Sequence, residues 1–193
     1  MNNIQVKTMD LFPTRIWTTQ LDHLAPHYES WRKIIHDMRA SEMKPRGKSN
    51  RGGWNSPDIL GSNPDFKPLM EVAGQLMMNI LKPMTDKVMD RKLSAWANMH
   101  DQGGFNTQHC HPGALLSASF YLSVPEGSGD FVIIDPRPGA NLSTLTGKAP
   151  NCRSAKHITP QEGLYVIFPS WLEHRVEPHE NTEPRLSIAM NLS

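Results

Sequence analysis

The first ninety residues of the chain repeat their apolar positions with the period of an α-helix. Two stretches show this spacing, residues 28–38 and residues 66–81. The second stretch also has the residues that favour helix boundaries. Asn63 is suited to cap its start, Pro64 to occupy the first helical position, and Pro83 to follow its end. The pattern therefore predicts two amphipathic helices.

After Asp90 the apolar positions recur with a period of two or form short β-branched runs, which is typical of β-strands. The segments are 93–100, 116–122, 130–135, 163–168 and 185–192. They predict a mostly antiparallel sheet pair or barrel with helices packed outside, so the expected fold class is mainly β with flanking helices.

Two glycine- and proline-rich segments separate these elements. Residues 44–63 form a long stretch that favours irregular backbone, and long loops in compact domains are often functional or mobile. Residues 136–150 are expected to cross one end of the barrel. With 193 residues and no repeat or evident linker, we expect a single domain over 1–193, in which 1–90 form a helical support and 91–193 the β core.

The composition excludes several classes of protein. The net charge of +1 gives no overall field that would attract nucleic acid or an anionic membrane, so neither partner is expected. Two cysteines, Cys110 and Cys152, are too few for a disulfide framework. The chain has no run of 18 apolar residues and begins with no signal-peptide pattern. We therefore expect a cytoplasmic protein.

Three histidines form a candidate metal site. His109 and His111 project to the same side if the backbone between them is extended, and His174 follows another strand and a turn. Two ligands from one strand and a third from a distant strand leave coordination positions open for a substrate or O₂. The alternative interpretation is that these histidines are ordinary polar residues at strand ends.

A second candidate site lies on the last strand, where Arg185 and Ser187 share a face with Ala189 and Asn191. An arginine that points into a barrel requires a carboxylate partner, which its guanidinium can bind with two hydrogen bonds. A bound dicarboxylate would supply that partner, and so would an internal salt bridge.

These residues resemble the conserved pattern of the 2-oxoglutarate- and Fe(II)-dependent oxygenases. That family has an HxD…H iron triad and an R-x-S/T motif on a double-stranded β-helix (jelly-roll or cupin-like) core. The chain is similar in particular to a bacterial and phage group of 2OG-Fe(II) oxygenases. The segments that carry this similarity are LFPTRIW (11–17), N-x-Q-H-x-H-P-G (106–113), D-P-R (135–137), F-P-S-W-L-x-H (168–174) and R-x-S-I-x-x-N (185–191).

The resemblance implies roles for matching residues. His109 and His174 would bind Fe(II), and Arg185 with Ser187 would bind the C5 carboxylate of 2-oxoglutarate. His111 stands where the family pattern has a carboxylate, which leaves the site near +2 and would let zinc or nickel compete with iron. In a second alignment, residues 111–113 form the H-x-G of halogenase-like relatives, although Pro112 disfavours a paired strand there.

The implied activity is oxidation by Fe(II), 2-oxoglutarate and O₂ with release of succinate and CO₂, and we expect hydroxylation of a small-molecule or peptide substrate. No catalytic side chain beyond the metal ligands is expected. Strand positions also suggest that Tyr121 and Asn98 contact 2-oxoglutarate. Other residues are expected to line a substrate entrance. The expected entrance residues are Asn106, Arg137 and Trp171, with Arg51 and Trp54 of the long loop.

Two other functions also fit the sequence. One is a three-histidine, cupin-like metalloenzyme that does not use 2-oxoglutarate and so has no need of a buried arginine. The other is a non-catalytic β-barrel binding protein. The methionines of the second helix would suit a homodimer interface, although methionines in such positions more often fill gaps in a core.

Overall fold

A computed structural model describes residues 5–7, 9–41, 49–85, 91–142 and 154–193. Within these ranges the chain forms two α-helices and nine β-strands. The helices are α1 (Ala25–Ala40) and α2 (Lys67–Leu81). The strands are β1 (Trp17–Gln20), β2 (Asn50–Asn55), β3 (Leu93–His109), β4 (Leu116–Ser123), β5 (Phe131–Ile134), β6 (Ala155–Ile158), β7 (Leu164–Pro169), β8 (His174–Val176) and β9 (Arg185–Leu192).

Both helices predicted from the apolar spacing are present. The side chain of Asn63 accepts a hydrogen bond from the backbone N–H of Asp65 at 3.0 Å. It thereby caps a short 3₁₀ turn, Pro64–Phe66, that leads directly into α2. Pro83 lies in the 3₁₀ turn that follows the helix. The boundary residues therefore act where the sequence places them, with 3₁₀ turns in place of the outermost helical turns.

The strands form one curled antiparallel sheet in the order β1-β7-β4-β9-β3-β8-β5-β6, with β2 paired to β3. The long strand β3 joins the two layers of this jelly-roll fold. Its first half pairs with β9, from Leu93 to His100, whereas its end pairs with β8. Residues at the end of β3 therefore lie in a different layer from those at its beginning.

The alternation along β3 separates a core face from a cavity face. Ala95, Ala97 and Met99 are buried in a core that both helices share with the sheet. Ser94, Trp96 and Asn98 line a cavity of about 670 Å³ between the two layers. The predicted fold class and the predicted periodicity are confirmed.

Several features differ from the sequence expectation. The strands β1 and β2 lie within the first ninety residues, where only helices were predicted, and β2 occupies part of the segment expected to be irregular. The strand that carries His109 ends at that residue, so Cys110 and His111 lie beyond it. A 3₁₀ helix, Pro138–Leu142, opens the second predicted loop. Parts of these predictions lie outside the described residues, namely 44–48, 143–150 and Cys152.

The described ranges contain no helix that combines the length and the apolar composition needed to cross a membrane.

Candidate metal centre and adjoining cavity

The three predicted histidines meet at one end of the cavity. His109 is the last residue of β3 and lies directly opposite His174, the first residue of β8. Their ring centroids are 4.3 Å apart, and those of His111 lie 5.1 Å from His109 and 5.2 Å from His174. One nitrogen from each ring lies within 4.8 Å of the others. Small side-chain rotations can therefore bring all three onto one metal ion.

Burial keeps these imidazoles in the neutral form that binds metals. Loss of solvation, with a smaller contribution from the neighbouring His109, lowers the pKa of His174 to about 3. The same desolvation lowers the pKa of His111 to about 4. It also lowers the pKa of His109, although a hydrogen bond to the backbone of Thr107 opposes this shift. At neutral pH all three rings carry a free nitrogen lone pair.

Backbone carbonyl groups fix the orientation of two of the rings. Nδ1 of His109 lies 2.7 Å from the carbonyl oxygen of Thr107, and Nδ1 of His174 lies 2.9 Å from that of Leu172. A carbonyl can only accept, so each Nδ1 carries the proton and each Nε2 carries the lone pair. The donor set present therefore fits a divalent transition metal.

Asn191 is the polar neighbour of the third ring. Its amide nitrogen lies 3.4 Å from Nδ1 of His111, and its carbonyl oxygen accepts a hydrogen bond of 2.8 Å from Ser117. If the amide turns by half a rotation, its oxygen faces Nδ1–H of His111 and Ser117 becomes the acceptor. The hydroxyl group permits both arrangements because it can donate or accept. In the turned arrangement His111 offers Nε2, as the other two histidines do.

A buried guanidinium group lies elsewhere on the same cavity wall. Arg185 is 1% exposed, and its side chain lines the cavity together with Ser187. It donates to the carbonyl oxygen of Gly129 at 3.0 Å and to Nδ1 of His100 at 3.1 Å, and its Cζ lies 6.0 Å from the ring centroid of Tyr121. Its Nε is buried with no hydrogen-bond partner among the described residues.

The other predicted 2-oxoglutarate contacts also line this cavity. Asn98 lies opposite Ser187 in the β3–β9 ladder and accepts a hydrogen bond from Asn55 of β2. Tyr121 is buried, and desolvation raises the pKa of its hydroxyl group. Asn106, predicted as an entrance residue, is buried, also lines the cavity and donates to the hydroxyl of Ser49 at 3.0 Å.

The remaining predicted entrance residues lie away from the cavity lining. Arg137 is paired with Asp135 at 2.7 Å on the surface. Trp171 is 55% exposed, and Trp54 is buried in the core beneath the helices. Arg51 is exposed on β2. Cys110, between the two histidines, is among the lining residues.

Sequence reasoning missed the residues that reach the cavity from the segment around β2. These are Ser49, Asn55, Ser56 and Asp58. It also assigned no role to His100, although His100 continues the inward-facing row of β3 and lies directly opposite Arg185. The period of two could have identified His100, because His100 is two residues after Asn98, which was expected to face inward.

Sequence and structure comparisons give consistent results. A family model described as "Putative 2OG-Fe(II) oxygenase" matches residues 94–191, just over half of the 193-residue chain. The match includes the three histidines and the Arg185–Ser187 pair. No curated protein matches the chain.

Solved structures share the fold at low sequence identity. A prolyl-4-hydroxylase from Pseudomonas putida is 17% identical with a TM-score of 0.66, over 93% of this chain and 92% of that one. HygX from Streptomyces hygroscopicus, solved with nickel and 2-oxoglutarate bound, is 15% identical with a TM-score of 0.59, over 93% and 83%. The epimerase SnoN from nogalamycin biosynthesis is 14% identical with a TM-score of 0.68, over 93% and 78%.

These likenesses establish the jelly-roll fold, and the family model establishes membership. The chain therefore belongs to the 2OG-Fe(II) oxygenase family, as its motifs predicted, and is an oxidoreductase of the class that uses Fe(II) and 2-oxoglutarate with O₂ as co-substrate.

Proposed function

We propose that this protein is a 2-oxoglutarate- and Fe(II)-dependent dioxygenase that hydroxylates a small-molecule or peptide substrate. The observation that carries the proposal is the combination of two groups in one cavity. A triad of neutral imidazoles lines one part, and a buried guanidinium with an unpaired Nε lines another. A metal ion and a dicarboxylate together satisfy both.

In this proposal His109, His111 and His174 hold the metal, and Arg185 with Ser187 binds the C5 carboxylate of 2-oxoglutarate. The bound metal and co-substrate supply the oxidising chemistry, with release of succinate and CO₂. The chain contributes orientation. The carbonyl groups of Thr107 and Leu172 orient two of the ligand nitrogens.

The geometry supports the HxH assignment over the H-x-G alternative. His109, and not Gly113, lies opposite His174 across paired strands. Gly113 lies in a turn beyond the end of β3 with a φ of 90°. With three imidazoles present, no ligand position is left vacant by a missing carboxylate.

The buried arginine argues against the alternative of a three-histidine enzyme without 2-oxoglutarate. A buried guanidinium without an acid partner is costly, and Arg cannot lose its proton to relieve that cost. No carboxylate within the described residues lies within salt-bridge distance of Arg185. An enzyme that binds no anionic co-substrate would gain nothing from that arrangement.

The metal-site proposal is tested by replacing His174 with alanine and measuring the Fe(II) or Ni(II) bound per chain. We expect one equivalent in the wild-type protein and at least a tenfold loss of affinity in the variant, because one of three ligands is removed. His36→Ala is the matched control, because His36 is an exposed histidine on α1. Retention of the metal by His174→Ala would contradict the assignment.

The co-substrate assignment is tested by Arg185→Ala, with Arg137→Ala as the control. Truncation of a buried charge that pairs with a ligand carboxylate costs roughly 2–5 kcal/mol, so 2-oxoglutarate affinity should fall by about 30-fold or more. The surface pair of Arg137 with Asp135 should not affect it. Formation of succinate from 2-oxoglutarate is the activity readout, and unchanged affinity in Arg185→Ala would exclude the proposed role.

A further inference from the structure

The partners of the Arg185 guanidinium are neutral. They are the carbonyl oxygen of Gly129 and Nδ1 of His100, supplemented by the face of the Tyr121 ring. Most buried arginines are held by an Asp or Glu, whose charge cancels their own. Here the hydrogen bonds that fix the group leave its positive charge uncompensated within the part of the chain that the structure describes.

His100 is held in the state that can accept this hydrogen bond. It is 1% exposed and lies directly opposite Arg185 in the β3–β9 ladder. Burial, together with the charge of Arg185, lowers the pKa of His100 to about 3, although Asn106 and Asp101 oppose part of the shift. The ring is therefore neutral at physiological pH. Its proton resides on Nε2, because Nδ1 accepts from an arginine that can only donate.

The backbone of β2 and β3 packs closely around the side chain of His100. Between Arg51 and Gly53 the β2–β3 register shifts, and residues 101–104 of β3 bulge out of the ladder. A Cβ atom on Gly53 would lie 3.2 Å from Cδ2 of His100, and one on Gly104 would lie 3.2 Å from its Cβ. A Cβ at either position would come still closer to a backbone carbonyl oxygen, that of Met99 or that of Gly52, so the two glycines allow the close packing of backbone and side chain around His100.

We propose that His100 is a positioning residue that orients Arg185 for a ligand carboxylate while leaving the charge of the guanidinium available. This inference rests on the proposed function and extends it to a residue outside the cavity lining. It explains why a histidine, and not an acid, lies beside the buried arginine. An Asp at position 100 would bind the guanidinium with its own carboxylate and compete with the ligand.

The proposal predicts an unusual order of effects for three substitutions. In His100→Asn the amide oxygen lies as many bonds from Cα as Nδ1 does, so 2-oxoglutarate affinity should stay within about threefold of wild type. His100→Leu removes the acceptor and should weaken binding by about tenfold. His100→Asp restores an acceptor but cancels the charge, so its binding should be weaker still, by about 30-fold.

The experiment is calorimetry on the Ni(II)-loaded protein with two probes, 2-oxoglutarate and a 2-oxo acid of similar length that lacks the second carboxylate. His100→Asp should weaken only 2-oxoglutarate, so the wild-type preference for the diacid should fall by about 30-fold or nearly disappear. A variant that merely misfolds would lose both probes. For that reason the ratio between probes, and not the affinity alone, is the readout.

Two outcomes overturn different claims. If wild-type protein shows no preference for the diacid, Arg185 does not bind a second carboxylate and the proposed function fails. If the wild type prefers the diacid and His100→Asp retains that preference in full, the proposed function stands and the role of His100 is wrong. Unchanged Ni(II) content across the variants confirms that the metal centre has not been altered.

Discussion

His111 changes the charge of the proposed metal centre. A carboxylate at this position would reduce the charge of a divalent site from +2 to +1, whereas a third neutral imidazole leaves it at +2. Neighbours that offer negative charge to an imidazole N–H strengthen metal binding, since they raise the basicity of the ligand. Asn191 is the side chain in position to supply this effect, because it lies 3.4 Å from Nδ1 of His111.

Substitution of Asn191 should therefore tune metal affinity in both directions. Asn191→Asp places a carboxylate beside Nδ1–H of His111 and should raise Ni(II) affinity, while Asn191→Leu should lower it by roughly tenfold. Competition with a coloured chelator measures both. Ser117→Ala, which removes only the hydroxyl partner of Asn191, is the control and should have the smaller effect. A weaker-binding Asp variant would contradict the orientation argued for His111.

Acid should destabilise the metal-free protein partly through His100. Its pKa is about 3 when folded and 6.5 when exposed, so between these values the unfolded chain binds the extra proton. The contribution of His100 to the free energy of unfolding is fully present above pH 6.5 and is lost as the pH drops toward 3. His100→Asn should lose less stability on acidification, by up to about 1.4 kcal/mol per pH unit. Urea unfolding between pH 4.5 and 6.5 measures the slopes. Equal slopes would exclude this contribution, because His111 and His174 remain in both proteins.

At the level of elements, β2 closes one side of the cavity. Asn50 and Asn55 of β2 form a row of amides with Asn98 of β3. Asn50 donates to Asn55 at 2.6 Å, and Asn55 donates to Asn98. Asn55 and Asn98 of this row present uncharged hydrogen-bonding groups to the cavity. The backbones of β2 and β3 approach each other closely where β2 carries Gly53.

The close approach makes Gly53→Ala a sharp test of the β2–β3 pairing. The added Cβ would lie 2.6 Å from the carbonyl oxygen of Met99, closer than atoms of folded proteins come. We expect a loss of about 1–3 kcal/mol in the free energy of unfolding. Gly139→Ala is the matched control, because no atom of the described residues lies within 4 Å of a Cβ added at that position. Similar urea midpoints for the two variants would show that β2 does not pair closely with β3 at Gly53.

The same elements show which strands can be predicted from sequence. Larger apolar residues recur at every second position of β4 and β9, so their period of two is visible in the sequence. β1 is a mostly exposed edge strand, WTTQ, with no apolar alternation, and β2 is a glycine-containing strand, NRGGWN. β8 is three residues long, too short to show a period. Their pairing depends on tertiary contacts that no local pattern records.

For the site, the sequence predicted the candidate metal ligands, and the structure showed which other residues surround them. His109, His111 and His174 could be named because their spacing and strand positions imply convergence. Ser49 and Asn55 could not, since they reach the cavity only through a strand that the pattern did not predict. Arg137 is polar and near a motif, yet its partner is Asp135 two residues away, which sequence spacing alone does not reveal.

Across the whole molecule, one aromatic cluster joins the helices to the sheet. Trp31 of α1 is fully buried, stacks on Phe66 at 5.5 Å and meets the ring of Phe120 on β4 edge-on at 6.2 Å. Its indole N–H donates to the carbonyl oxygen of Asp65 at 2.8 Å. The helical layer therefore packs against the outer face of the strands whose inner face forms the cavity.

If the helices support the β core as one cooperative unit, damage to this cluster should destabilise both together. Trp31→Ala should cost about 3–5 kcal/mol, because it leaves a large cavity and an unpaired carbonyl. Trp171→Ala, which removes an exposed ring, should change stability by about 0.5 kcal/mol or less. Urea unfolding followed by far-ultraviolet circular dichroism and by Ni(II) release should give coincident transitions in each protein. Loss of helix at a lower urea concentration than loss of metal would show that residues 1–90 unfold separately, and the prediction of a single domain would then be wrong.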